Sequence, residues 1–300
     1  MSKINVCFSC DDNYAKYAGV ALTSILYNAK ENDDLVVYIL DGGISEENKN
    51  NITSLKNIKE CEINFIKIDN SLFDEYKIIK THGYLPIVSF YRLKVSSLLP
   101  NLDKVIYFDC DFVICDSLKE LFDTDLENNY IGAVNDIDKR KCRKNSSYIN
   151  SGMIIFDLKK MREDNIEKLF YDWAVENQKI IKLGDQDVIS YSLAGKIKLL
   201  DKKWNVQSSN FINRSTYTNH PKAIHMLNKP WKFASACIHK GEYFKYLQMT
   251  LWKMSEEDLY HWTVENEKAS IKKYLKTKPL FFLRPHFYIA LFWKYFLKSK

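Results

Sequence analysis

Short apolar runs that stop at turn-forming or acidic residues alternate with amphipathic stretches through most of this chain. That alternation restricts its fold more than any other feature. Ile4–Cys10 reads as a buried strand and Tyr17–Ala29 as a helix offering Val20, Leu22, Ile25 and Leu26 for packing. Leu35–Leu40 reads as a second strand, stopped by Asp41-Gly42-Gly43. Ser45-Glu46-Glu47-Asn48 opens a helix that carries Ile52, Leu55 and Ile58. Cys61–Ile68 alternates as a third strand, and Phe90–Leu99 looks helical up to Pro100. Lys104–Phe108, Ile131–Val134 and Met153–Phe156 follow as strands. A long amphipathic helix is expected at about Glu163–Gln178, with Ile166, Leu169, Phe170, Trp173 and Ala174 on one face. Repeated strand–helix–strand units imply an α/β fold, a Rossmann-like, mostly parallel sheet flanked by helices.

The 300 residues are enough for one large α/β domain with a real core, and the scarcity of Gly and Pro, 9 and 6 residues, marks a globular chain. Seven scattered cysteines, with no apolar signal segment after Met1, are expected to be reduced thiols of a cytosolic protein. Cys7 and Cys10 fall within the first strand and read as core. Charge is distributed unevenly. Residues 271–300 hold eight of the 44 Lys and Arg and none of the 38 acids, so the first 270 positions sum to −2. No basic stripe is left over in the body to track a nucleic-acid backbone.

The motifs that carry chemistry sit where strands stop. Asp109-Cys110-Asp111 follows Lys104–Phe108. Alternate strand residues point the same way, so the two carboxylates can converge at the ligand edge of a parallel sheet. Such a pair supplies hard oxygen ligands for Mg²⁺ or Mn²⁺, an ion that most often serves a diphosphate. At a strand end these acids read as surface groups with little packing. Asp11-Asp12-Asn13-Tyr14 follows the first strand at the nucleotide position of doubly wound folds, without the glycines of a dinucleotide loop. A carboxylate and the Asn13 amide suit hydrogen bonding to a base or ribose, with Tyr14 stacked on the base, and Asp11 or Asp12 equally suits a helix cap. Asn150-Ser151-Gly152 precedes Met153–Phe156 and allows close backbone approach, or forms an ordinary turn. Asp185-Gln186-Asp187 starts a helix, either capping it or acting as a polar trio facing the bond being broken. His225 ends the apolar Ala223-Ile224, four residues before Lys229. It is a structural histidine or a third metal ligand, with Lys229 on a phosphate.

The ordered set Asp11-Asp12-Asn13-Tyr14, Tyr91-Arg92-Leu93, Asp109-Cys110-Asp111, Asn150-Ser151-Gly152, Asp185-Gln186-Asp187 and His225…Lys229-Pro230-Trp231 resembles glycosyltransferase family 8. Within it, the similarity is greatest to the bacterial lipooligosaccharide and lipopolysaccharide galactosyl- and glucosyltransferases, over roughly residues 4–232. The resemblance implies a GT-A fold, a UDP-hexose donor, Mn²⁺ (or Mg²⁺) and retention of anomeric configuration. It places Asp109, Asp111 and His225 on the metal, and Asp11, Asn13 and Tyr14 on uridine, with Asp12 and Cys110 within the same nucleotide-sugar motifs. Arg92 and Asp185 would hold the donor sugar, Asn150, Ser151 and Gly152 would line its other side, Gln186 would lie beneath the anomeric carbon, and Lys229 at the diphosphate. The chain departs from the family twice. Met226-Leu227-Asn228 runs straight from His225 to Lys229 without the usual glycine, shortening the diphosphate loop and leaving Asn228 in its place. Ser151 stands where Ala is common.

The sequence divides into a catalytic domain, 1–270, and a basic, aromatic tail, 271–300. In the tail Phe281, Phe282, Phe287, Tyr288, Phe292, Trp293, Tyr295 and Phe296 mix with Lys and Arg. Arg284-Pro285-His286 breaks its apolar stretch short of the ~20 residues of a membrane span. Such a tail suits an anionic leaflet, at about 1 kcal/mol per basic residue near the surface. The expected protein is a hexosyltransferase acting on a glycan or glycolipid acceptor, peripheral on the inner face of the cell membrane. A glycogenin-like self-glucosylating protein, or a catalytically silent nucleotide-sugar binder, are the alternative readings.

Overall fold

The computed structural model describes residues 3–79, 86–207, 218–233 and 239–277 of the chain. Among them ten strands form two sheets. The strands are β1 (Ile4–Cys10), β2 (Leu35–Asp41), β3 (Glu62–Lys67), β4 (Lys104–Phe108), β5 (Phe112–Ile114), β6 (Ile131–Asn135), β7 (Ile149–Asp157), β8 (Ile197–Leu199), β9 (Val206–Gln207) and β10 (Ala223–His225). The large sheet has the order β3-β2-β1-β4-β7-β6-β8, and the small one β5-β10-β9. Both faces of β1 are buried. Ile4, Val6, Phe8 and Cys10 pack with Leu22 and Ile25 of the Asp12–Asn28 helix, while Cys7 joins Tyr91 and Leu93 in the opposite layer. This two-sided burial is why the strand is mostly apolar, with Asn5 and Ser9 as its two polar residues.

Strands β1, β2, β3 and β4 are mutually parallel, as are β6 and β8. Strand β7 is the exception, antiparallel to both β4 and β6. Its reversal carries the start of β7 to the edge at which β1, β4 and β6 end, and there the polar motifs collect. Strand order changes direction between β1 and β4, which makes the crevice beyond their ends the expected ligand position.

Several local expectations are revised. The helix expected at Glu163–Gln178 is present but shorter, Ile166–Glu176, and a separate short helix, Leu158–Glu163, precedes it. Between them Asn165 adopts φ 51°, a left-handed conformation that asparagine tolerates better than most side chains. Ile166, Phe170 and Ala174 are buried, but Leu169 is 40% exposed. The Phe90–Leu99 segment is a 3-10 helix, Ile87–Lys94, followed by one α turn, Val95–Leu98. Asn150-Ser151-Gly152 lies within β7, not ahead of it. Cys7 and Cys10 are buried free thiols, as core packing requires.

The C-terminal helix Glu256–Thr277 runs across position 270 and takes in the first seven residues of the tail. Residues 278–300, with most of the tail's aromatic rings, lie outside the described residues. Among the described residues no helix is long and apolar enough to cross a membrane.

Candidate active site

Asp109 and Asp111 occupy the turn between β4 and β5, so the turn, and not strand alternation, brings the two carboxylates together. His225 reaches them through the small sheet: β10 pairs antiparallel with β5, placing His225 opposite Phe112. Met226 N then donates to Asp111 O at 2.8 Å, tying the two segments once more. One ligand atom from each of Asp109, Asp111 and His225 lies within 4.8 Å of the others.

The surroundings of His225 suit it to metal ligation. Its ring stacks on Phe112, with centroids 4.4 Å apart, and lies against Gly152, where an added Cβ would stand 2.4 Å from Cε1. Nδ1 is 2.9 Å from Asn150 Oδ1, an oxygen that also accepts from Gly152 N and from Asn205 Nδ2. An amide oxygen only accepts, so Nδ1 carries the proton and Nε2 keeps its lone pair. Nε2 faces Asp111 Oδ1 at 3.2 Å. Burial pushes the imidazole down to about 4, which leaves it neutral at neutral pH. Two carboxylates and one neutral imidazole are a donor set that fits a divalent cation.

The expectation that both acids are surface groups holds only in part. Asp109 is partly exposed, but Asp111 is 5% exposed, held between His225 and the Lys229 ammonium, which pairs directly with its Oδ2. Lys229 is anchored through Trp231, whose ring stacks on Tyr17 of the first helix at 3.9 Å and 12°. Asn228 lies in the bend between His225 and Lys229, where Leu227 N turns back to His225 O at 2.9 Å.

Arg92 is a buried hub. Its guanidinium donates to Asp109 Oδ1 and Ser151 O, each at 2.5 Å, and to Ser89 O at 3.1 Å, and lies 4.6 Å from the Tyr107 ring centroid. Its Nε is 3.2 Å from Asp185 Oδ2, a buried oxygen with no directed hydrogen bond. Burial raises the Asp185 carboxyl pKa, and Arg92 opposes that rise. Arg92 thus links Asp185 to Asp109 through one cation.

Asp185, Gln186 and Asp187 do not share a face, because consecutive helical residues diverge by about 100°. Asp185 turns to Arg92. Asp187 turns away, accepting from Lys182 N at 2.6 Å, Leu183 N at 2.8 Å and the Tyr148 hydroxyl at 2.5 Å. Gln186 is held at both ends of its amide. Oε1 accepts from Ser151 N at 3.2 Å and Asn150 Nδ2 at 3.3 Å, while Nε2 donates to Asp136 Oδ2 at 2.9 Å and to the Tyr148 oxygen at 3.3 Å. A backbone N–H on one side and a carboxylate on the other leave a single sensible orientation of the amide.

At the turn after β1, Asp11 caps the first helix, accepting from Tyr14 N at 3.1 Å, and Asn13 Nδ2 reaches its other oxygen at 3.4 Å. Tyr14 stands edge-on to Tyr17. Asp12 is engaged elsewhere, accepting from Ser45 N and Asn48 Nδ2, both at 2.8 Å, so it fastens the second helix to the first. Cys110 is buried, its thiol 3.4 Å from Ser9 O. Sequence reasoning passed over Asp136, Tyr148 and Asn205. Asp136 was detectable, since it follows the Ile131–Asn135 strand as Asp11 follows β1. Tyr148 and Asn205 carry no such signal.

The sequence profile described as glycosyl transferase family 8 matches residues 5–235. The chain is 32% identical over 211 residues to a protein of Haemophilus influenzae named as a glycosyltransferase, covering 67% of this chain and 63% of that one. It thus spans less than two thirds of that relative's length. It is 27% identical over 269 residues to a lipopolysaccharide 1,2-glucosyltransferase of Escherichia coli, covering 80% of this chain and 77% of that one. Among solved structures, the galactosyltransferase LgtC, in complex with donor and acceptor sugar analogues, superposes with a TM-score of 0.73 at 24% identity. The match covers 86% of this chain and 99% of that one. The likeness establishes the GT-A architecture, a mostly parallel central sheet flanked by helices. With the family profile spanning three quarters of its length, the chain belongs to glycosyltransferase family 8.

Proposed function

We propose that this protein transfers galactose or glucose from a UDP-sugar to a glycan acceptor with retention of anomeric configuration. The acceptor is lipid-linked and presented at the cytoplasmic face of the membrane. The observation that carries this reading is the convergence of Asp109, Asp111 and His225 beside Gln186 at the switch-point edge of a family 8 chain. The name of the Escherichia coli relative supports the acceptor class.

The difficult step is departure of UDP as positive charge develops on the sugar. Asp109, Asp111 and His225 would hold Mn²⁺, which fits a set containing one imidazole better than Mg²⁺ does and supplies Lewis-acid stabilisation of the leaving diphosphate. Lys229, on the side of Asp111 away from His225's ring stack, is placed to add its ammonium to the same charge. Gln186 is neutral and hence a weak nucleophile, and its amide is oriented by four hydrogen bonds. Those features favour acceptor attack from the face that UDP leaves, with the Gln186 dipole and the Asp136 carboxylate lowering the energy of the cationic sugar. Asn150 both positions His225 and reaches Gln186, coupling the metal ligand to the sugar-facing amide.

A donor screen tests the reading. UDP release is followed over a panel of UDP-sugars with Mn²⁺, in wild type and Asp111→Asn. Release from UDP-galactose or UDP-glucose that disappears in the variant is expected. Turnover of no UDP-hexose, or turnover indifferent to Asp111→Asn, overturns it.

A further inference from the structure

The charge sum over residues 1–270 averages out one concentrated feature. The helix Lys139–Lys144 has the sequence KRKCRK, five basic residues in six. Counting Asp136 and Asp138, residues 136–144 carry five basic side chains against two acids, in a body whose sum is −2. Neither Lys141 nor Lys144 forms an ion pair with another described residue. The Lys141 ammonium lies instead over the Tyr148 ring, 5.1 Å from its centroid.

This helix is fixed against the sugar end of the site. The Cys142 thiol lies 3.3 Å from Asp136 O and 3.6 Å from Tyr148 O. Upstream, Ile137 N donates to Gln207 Oε1 at 3.1 Å. Downstream, Asn145 Nδ2 donates to Ser190 O at 2.8 Å, on the helix that carries Gln186. The side chains that flank this segment, Asp136 and Tyr148, are those that hold the Gln186 amide. The Lys141 ammonium therefore shares the Tyr148 ring with the residue assigned to the sugar, on an element other than the one that carries Lys229.

We propose that the Lys139–Lys144 helix binds an anionic group on the acceptor, so that the glycan this enzyme extends carries a phosphate ester or a carboxylate close to the hydroxyl that is glycosylated. This inference rests on the reading of the site as a glycosyltransferase centre and specifies its acceptor. The donor's charge would be met by the divalent cation that Asp109, Asp111 and His225 would hold and by the Lys229 ammonium, so a second cationic group beyond the sugar has no charge of the donor left to neutralise. An anion on the acceptor fits that position. Lysine and arginine bonds to phosphate and carboxylate are charge-assisted, roughly twice the strength of neutral ones, and they orient a substrate while adding attraction at a distance. Tight backbone attachment at both ends keeps the ordering cost of that contact low.

The test uses the full chain with UDP and Mn²⁺ present and three probes: methyl galactoside 6-phosphate, methyl galacturonide and unmodified methyl galactoside. Binding is followed by calorimetry in wild type and in Lys141→Gln/Lys144→Gln, with melting temperature, UDP affinity and sedimentation with anionic vesicles measured alongside. Wild type is expected to prefer one or both anionic glycosides over the neutral one by about tenfold, a preference that falls with salt and largely vanishes in the double variant. Phosphate preferred over carboxylate, or the reverse, identifies the group. Equal binding of all three probes by wild type overturns the proposal, as does a preference that survives the substitutions. Weaker UDP binding in the double variant assigns the helix to the donor, and loss of retention on anionic vesicles with unchanged glycoside binding assigns it to lipid; either refutes the proposal. Failure of every UDP-hexose in the donor screen would instead remove the glycosyltransferase reading, whatever the outcome here.

Discussion

Gly152→Ala is the most direct probe of how the fold builds the metal site. The added methyl would stand 2.4 Å from His225 Cε1, 2.8 Å from Nδ1 and 3.0 Å from Phe112 Cε2. Carbon atoms settle at roughly 3.5–4.0 Å, so the imidazole must retreat by about 1 Å. Phe112, stacked on it, has to move as well. A shift of that size stretches the 2.9 Å bond to Asn150 beyond hydrogen-bond range and releases control of the tautomer. It also takes Nε2 outside the ±0.2 Å or so that ligation tolerates. The expected loss is about 10–100-fold in Mn²⁺ affinity, with roughly 1–3 kcal/mol of stability from overpacking. Gly132→Ala is the control, since its Cβ would meet Leu126 Cδ2 at 2.7 Å, far from the ligands. It should lower stability comparably and leave the ion alone. Free Mn²⁺ measured by electron paramagnetic resonance, with a denaturant titration on each protein, separates the effects. A folded Gly152→Ala protein that binds Mn²⁺ like wild type would refute the reasoning.

Three further outcomes are expected. Gln186→Ala should lower turnover on the order of 10²-fold and donor affinity much less, because stabilising a cationic sugar matters mainly in the transition state; equal losses in kcat and donor Kd would mean it holds only the ground state. His225 sets a pH dependence. Burial depresses it from 6.5 to about 4, so the unfolded chain takes up this proton before the folded one, and stability present above pH 6.5 is lost as pH falls toward 4. Wild type should lose about 3 kcal/mol more than His225→Asn across that window in guanidinium titrations, and parallel pH profiles would count against a buried neutral imidazole. Truncation after Thr277 keeps the last helix whole and removes Lys278, Arg284, Lys294, Lys298 and Lys300 with the aromatic rings among them. Sedimentation with anionic vesicles should be lost while UDP release persists, and the full chain should bind less as salt screens charge beyond about 10 Å at 0.1 M. A truncated chain that still pellets with vesicles would assign the membrane contact elsewhere.

Local chemistry made much of this protein legible before its structure. Strand β1 was readable to the residue because both of its faces are buried and five of its seven residues are apolar. Ser45 and Asp11 cap helices as their residue types favour. Asp109 and Asp111 stood out because acids that stop an apolar strand have few ordinary reasons to be there. What periodicity could not convey is strand direction: β7 looks the same in sequence whether it runs with β4 or against it. Yet only the antiparallel arrangement brings Asn150 and Gly152 to the edge where β4 and β6 end. The partners of a polar side chain were equally hidden. Asp12 and Asp11 are neighbours with the same chemistry, but one braces the Ser45 turn and the other caps the first helix. That Arg92 joins Asp109 and Asp185 in one buried cluster was not visible in the sequence either. His225 came to stand beside Asp109 and Asp111 only when β10 paired with β5 and Asn150 reached its Nδ1. Local propensity acts over a few residues and can be read in order. Direction, pairing and the tautomer of a buried ring depend on contacts between segments a hundred residues or so apart, and only the assembled core decides them.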